Sequence, residues 1–371
     1  VSETAADLQT VVDLRTLVAN SPVVICCGPG GVGKTTISAS FAVAAAQQGR
    51  RACVITVDPA RRLADALGVD ALANEPTVVH GPWPGELHAV MLDTKGTFDD
   101  LVRRYARDQD QAAAIQSNAL YQSLAGALSG TQEYMAMEKL YELTEQGAYD
   151  LVVVDTPPTR NALDLLDAPN RLTHFLENRF FRALLLPGRM SLRVVGIATQ
   201  TLLRTVSKVA GAEIVQDAVA FFQAFQGMEE GFRARAATVR RLLADPATAY
   251  VLVTSPRPDA VEEAAFFAER LGTSGIQAAG LVVNRVQPRF GPPSWDPAAW
   301  QRTRRPEEAV LDPLVANLAV LDAAAQLEEA VVAELVGQLA PAPVGRVPLL
   351  AGDVHDLPGL GRVADHLFPE E

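Results

Sequence analysis

Short apolar runs recur along the chain at Val23–Cys27, Ala52–Val57, Leu87–Leu92, Leu151–Val154, Tyr250–Thr254, Ala279–Val283 and Val344–Leu349. They are rich in β-branched residues and are separated by stretches with helical spacing. That alternation predicts an α/β fold with a doubly wound, mostly parallel sheet. Ligands of such sheets bind where the strands end at their carboxyl termini. Between Phe98 and about Leu243 the pattern turns predominantly helical, broken once by Leu151–Val154. Its apolar faces, as in Phe180-Phe181-x-x-Leu184-Leu185-Leu186 and Val219-x-Phe221-Phe222-x-x-Phe225, are wider than one sheet contact needs. The chain therefore divides into a first core part at 1–97, helical insertions at 98–145 and 166–245 around a returning strand at 146–165, and a second core part at 246–371. Within that last part, residues 287–306 carry Pro288, Pro292, Pro293, Pro297 and Pro306 with Trp295 and Trp300, and read as a long loop.

Composition narrows the class. Of 371 residues, 49% are hydrophobic and 20% charged, as in a soluble globular protein, and one α/β domain with a large insertion accommodates the length. A formal net charge of −12 disfavours binding of nucleic acid through bulk charge. One segment departs from that balance. From Asn178 to Ala210 the charged residues are Arg179, Arg182, Arg189, Arg193, Arg204 and Lys208, without an acid. It reads either as a solvated helix face or as a surface for lipid headgroups or an apolar client. Cys26, Cys27 and Cys53 lie in strand patterns and read as buried apolar residues, and with no C-x-x-C pair neither zinc nor a redox motif is expected. No basic-then-apolar leader and no run of about eighteen apolar residues is apparent, so a cytoplasmic protein is expected.

The candidate chemistry starts at Gly28-Pro29-Gly30-Gly31-Val32-Gly33-Lys34-Thr35, which fits G-x-x-x-x-G-K-[ST] between an apolar strand and an alanine-rich helix. In that context the backbone N–H groups of Gly30, Gly31, Val32 and Gly33, with Lys34, Thr35 and Thr36, cradle phosphates at a helix N-terminus. Lys34 would lie on the β- and γ-phosphates of ATP or ADP, and the Thr35 hydroxyl on Mg²⁺. The sheet is thus expected to be that of a P-loop nucleotidase.

Three further elements stand at strand ends. Val54-Ile55-Thr56-Val57-Asp58-Pro59-Ala60 places Asp58 where a carboxylate can orient an attacking water or a metal-bound water, or can cap the helix that follows. Leu151-Val152-Val153-Val154-Asp155 has the form of a Walker B strand, which puts Asp155 beside Mg²⁺. Leu281-Val282-Val283-Asn284-Arg285 ends in an amide that can read an adenine edge or cap a turn.

Taken in order, the loop Gly28–Thr36, Asp58-Pro59-Ala60, Asp155-Thr156-x-Pro158-Thr159, Asn284-Arg285 and Val347-Pro348-Leu349-Leu350 resemble the arsenical pump-driving ATPases and the related ATPases that deliver tail-anchored membrane proteins. Gly130-Thr131-Gln132-Glu133 and Val261-Glu262-Glu263 look like further segments of that family, and the resemblance covers nearly the whole chain, as in a bacterial member. It implies a nucleotide-dependent dimer with facing ATP sites. In it Asp58 activates the hydrolytic water, Asp155 is the Mg²⁺-associated switch acid, Asn284 and the Pro348 region form the adenine pocket, and the helical subdomains form a client surface.

Departures qualify that implication. The family usually has a second lysine after the first loop glycine, reaching the partner's phosphates; here Pro29 brings neither charge nor donor, which implies low activity. Arg257, Arg61, Arg62 and Arg160 are candidate replacements, or a paralogous subunit supplies the cation in a heterodimer. No cysteine lies in the helical region to hold a metalloid, and the zinc-binding cysteine pair and methionine-rich groove of the targeting branch are missing. The expected task is therefore targeting or shielding of a membrane-protein client, with the energising subunit of an anion or metalloid transporter and a weakly active nucleotide-binding scaffold as alternatives. Contact with the membrane would be peripheral.

Overall fold

A computed structural model describes residues 13–58, 62–119, 121–122, 131–157, 212–290 and 296–369. Eight strands form one sheet in the order β3-β4-β2-β5-β1-β6-β7-β8. They are β1 (Val23–Cys27), β2 (Arg51–Thr56), β3 (Thr77–Val79), β4 (Glu86–Met91), β5 (Leu151–Asp155), β6 (Thr248–Thr254), β7 (Ala278–Val286) and β8 (Val344–Pro348). All neighbours pair parallel except β3 with β4. The predicted runs all form strands; Val23–Cys27 matches β1 at both ends and the others differ by one to three residues at one or both ends. The antiparallel edge strand β3 was not anticipated, because Thr77-Val78-Val79 is too short to show a period.

Strand alternation divides the apolar side chains between two cores. Val23, Ile25 and Cys27 of β1 face one cluster, with Cys53, Ile55, Val152 and Val154 beside them. Val24, Cys26, Val54, Leu151 and Val153 face the other. Both faces are covered, which is why these strands read as continuous apolar runs. The second core is closed by α1 (Leu14–Asn20), α2 (Lys34–Gln47), α3 (Arg62–Leu67) and α12 (Leu357–Leu367). From Ile37 to Ala46 α2 is buried all round, and its small alanine and serine side chains let it lie deep against the sheet.

The first core is covered by helices of the predicted helical stretch: α4 (Thr94–Tyr105), α5 (Gln109–Gln116), α6 (Thr131–Glu145), α7 (Ala212–Phe225) and α8 (Glu229–Leu243). Phe98, Tyr121, Phe221, Phe225 and Phe232 form one aromatic cluster there, ring centroids 5.1–6.4 Å apart. Phe221 and Phe225 thus belong to the core. The basic segment Asn178–Ala210 and the apolar stretch at Phe180 lie outside the described residues.

One expectation needs correction. Part of the Pro/Trp-rich stretch is helical: Asp296 accepts from the Ala298 N–H at 2.8 Å and starts α10 (Pro297–Thr303), with proline at the first position where its missing N–H costs nothing. A 3₁₀ turn (Pro306–Leu311) then leads into α11 (Asp312–Leu339), a long helix between α9 (Pro258–Thr273) and β8. The stretch Pro306–Leu339 is long and apolar enough by composition to cross a membrane, with mean hydropathy 1.4 in its best window, only 11% of it buried. Leu314, Val320 and Leu327 stand exposed on it.

Candidate functional site

The glycine loop leaves β1 at the centre of the sheet, between β5 and β6, where the strand order reverses. Gly28, at φ 146°, lies so close to β6 that an added Cβ would sit 2.0 Å from the Val253 carbonyl oxygen. Gly33 caps α2 at φ 93° and provides no side chain of its own. Among the described residues, the N–H groups of Gly31, Val32 and Gly33 meet no acceptor. Open amides at the head of a helix make an anion cradle. Lys34 is buried, and its ammonium donates to the carbonyls of Gly28 at 2.9 Å and Pro29 at 2.7 Å. Burial lowers its pKa, while the charges of Asp155 and, from α9, Glu263 oppose that shift.

Sheet register assembles the acid side. Asp155 at the end of β5 lies level with Cys26 of β1 and Thr56 of β2. Its Oδ2 accepts from Thr35 Oγ1 at 2.7 Å and from Thr56 Oγ1 at 2.8 Å. Its Oδ1 is buried without a partner. Burial pushes the carboxyl up to about 6, against the two hydroxyl bonds and Lys34. Thr156 turns back to the Cys26 carbonyl at 2.8 Å, fixing the first residue past the strand. Asp58 follows β2, half-buried, its N–H donating to Thr56 Oγ1 at 3.2 Å and its carboxylate 3.5 Å from Arg62 Nη1 on α3.

The opposite wall comes from β7 and β8. Asn284 is buried, donating Nδ2–H to the Val32 carbonyl at 2.7 Å and accepting from the Arg285 N–H at 2.9 Å. Arg285 Nη1 donates to the Gly31 carbonyl at 3.1 Å. Pro348, Leu349 and Leu350 complete an apolar side. The cavity between these walls measures about 470 Å³.

Gly31, Gly33, Lys34, Thr35, Thr36, Asp58, Asp155, Asn284, Arg285 and Pro348 all line this one cavity. Gly30 is exposed on the loop and Val32 is buried within it, and neither lines the cavity. Of the candidate cations, Arg62 lines the cavity, whereas Arg257 turns outward onto Asp259 and does not. Arg61 and Arg160 lie outside the described residues. Sequence reasoning missed the role of Thr56, whose only signal is a hydroxyl two places before Asp58, and the lining by Asp353 and Val354 past β8.

The donors at hand are hard oxygens, Thr35 Oγ1 and the half-satisfied Asp155 carboxylate, which suit Mg²⁺ completed by phosphate and water oxygens. Among the described residues no group of three His, Cys, Asp or Glu side chains is placed to hold a metal unaided. Cys26, Cys27 and Cys53 are buried, and burial raises all three thiols, Cys26 and Cys53 to about 12.

A sequence profile described as anion-transporting ATPase matches residues 21–291. An uncharacterized protein of Streptomyces coelicolor is 33% identical over 282 residues, 74% of this chain and 66% of its own length. The ATPase get3 of Aspergillus terreus is 32% identical over 166 residues, 44% of this chain and 47% of its own. The ATPase ASNA1 homolog of Cryptosporidium parvum is 28% identical over 260 residues, 70% of this chain and 63% of its own. The matched stretches thus span between about half and two thirds of these relatives.

Proposed function

The chain belongs to the anion-transporting ATPase family, and from that premise we propose that it is a magnesium-dependent, ATP-hydrolysing switch, working as a dimer in the cytoplasm. The observation that carries this reading is the convergence of Gly31, Gly33, Lys34, Thr35, Asp155 and Asp58 on one cavity at the ends of β2, β5 and β1. Relatives named as ATPases support the reaction class.

In this reading the loop amides and Lys34 bind the phosphates, the ammonium exchanging the carbonyls of Gly28 and Pro29 for phosphate oxygens. Thr35 would hold Mg²⁺, with Asp155 behind it, and the ion would supply positive charge on the phosphates. Asp58 orients the attacking water and accepts its proton. Since Asp155 holds both Thr35 and Thr56, a change at the phosphates is felt at the loop that carries Asp58 and at the segment after β5.

The output would be a client surface on the helical insertions 98–145 and 166–245, set between core parts 1–97, 146–165 and 246–371. Shielding an apolar segment of a membrane protein fits better than metalloid transport. Three buried thiols held in the neutral form are poor ligands for a soft metalloid. The partner subunit is a second copy or a paralogue, and Pro29 leaves turnover low.

Titration calorimetry with Mg·ATP, together with phosphate release, on the wild-type chain and Lys34→Ala tests the core of this. Wild type is expected to bind and hydrolyse, and Lys34→Ala to do neither. Absence of Mg-dependent nucleotide binding by folded wild-type protein would overturn it; binding without turnover would select the scaffold reading.

A further inference from the structure

The consecutive pair Asn284-Arg285 holds two consecutive peptide groups of the glycine loop. Asn284 Nδ2 takes the Val32 carbonyl and Arg285 Nη1 the Gly31 carbonyl, at 2.7 and 3.1 Å. Across a trans peptide the C=O and the following N–H point in opposite directions. Fixing these carbonyls therefore fixes the direction of the N–H groups of Val32 and Gly33, and those are among the amides that meet no acceptor.

The arrangement is built rather than incidental. Arg285 interrupts the register of β7 with β8, which passes from Asn284–Val347 to Val286–Pro348, so it is the extra residue of a bulge. Its φ of 61° is the left-handed conformation, unique here among non-glycine described residues. Its own N–H donates to Asn284 Oδ1, which turns the side-chain amide's donor end to the loop. Gly33 lacks a side chain where a Cβ would come 2.3 Å from Asn284 Nδ2.

We propose that Asn284 and Arg285 are positioning residues that clamp the loop from the β7–β8 wall and preorganise its amides for phosphate, so that their main contribution is to phosphate binding rather than to base selection. This deepens the nucleotide reading above and rests on it. A preorganised cradle binds a phosphate chain without a nucleoside, because its amides need no reorientation.

The test is calorimetry of Mg·ATP and of magnesium tripolyphosphate with wild type, Asn284→Leu, Arg285→Ala and Arg285→Lys. Asn284→Leu keeps the approximate volume and removes the donor without adding charge beside the phosphates; Arg285 is exposed, so its variants are not expected to disturb the core. Asn284→Leu and Arg285→Ala are expected to weaken both ligands by the same factor, about tenfold for one lost hydrogen bond, and Arg285→Lys to recover part of that loss. Weakening confined to ATP, no weakening at all, or a wild-type protein that binds Mg·ATP but not tripolyphosphate would each overturn the clamp. Failure of wild type to bind Mg·ATP would remove the nucleotide reading itself.

Discussion

Asparagine in place of Asp155 keeps the outline of the side chain and takes its charge out of a buried position at the end of β5. Burial raises this carboxyl from 3.8 to about 6, and the hydroxyls of Thr35 and Thr56 with the Lys34 charge only partly offset it. A rise of roughly two units is worth about 3 kcal/mol against the ionised folded state. The sign follows from counting protons. Between pH 3.8 and about 6 the folded chain keeps a proton that the unfolded chain has released. Stability therefore falls as the pH rises through that window, and the whole penalty is present above it. Ligand-free Asp155→Asn is expected to be more stable than wild type by up to about 3 kcal/mol near pH 7.5, less whatever its new, unpartnered amide hydrogens cost. The advantage should shrink as the pH is lowered through the window. Urea unfolding of both proteins at a series of pH values measures it, and a difference that is absent, or unchanged between about pH 4.5 and 8, would refute the reasoning. The same variant should lose Mg-dependent ATP binding, since it gives up the acid that the site uses.

Two other perturbations probe the frame around the site. Arg235 on α8 meets Glu138 of α6 at 2.6 Å, both buried, and lies 3.9 Å over the Tyr141 ring. Arg235→Met strands the carboxylate, whose pKa burial already raises, and is expected to cost about 3–5 kcal/mol at neutral pH. The deficit should shrink as the pH is lowered, because burial favours the protonated carboxyl of Glu138, and urea unfolding across a series of pH values checks it. Gly28→Ala places a Cβ 2.0 Å from the Val253 carbonyl oxygen, a backbone atom that cannot step aside. A loss of about 3 kcal/mol or more is expected, and thermal unfolding indistinguishable from wild type would contradict the packing of the loop on β6.

Local pattern made much of this protein readable before any coordinates. Strands buried on both faces need continuous apolar residues, so β1, β2 and β5 announce themselves. A phosphate loop needs glycines, a lysine and a hydroxyl at set spacing, so residues 28–35 do too. Elements whose cause is not local stayed hidden. β3 is three residues that form a strand only because β4 offers an edge. The stretch after Gln287 contains a short helix among its prolines, started by one aspartate cap.

The chain's own order of residues determined which groups could do the chemistry: a loop for phosphate, Asp58 and Asp155 at strand ends, an amide at Asn284. Only the folded arrangement decided what each one touches. Asp155 gathers hydroxyls 120 and 99 residues away because parallel register sets three strand ends side by side. Asn284 grips a loop 252 residues before it because β7 lies two strands from β1 in the sheet. Hydrophobic period and turn chemistry act over a few residues and are written in the sequence; register, burial and charge act between segments that meet only once the sheet has closed.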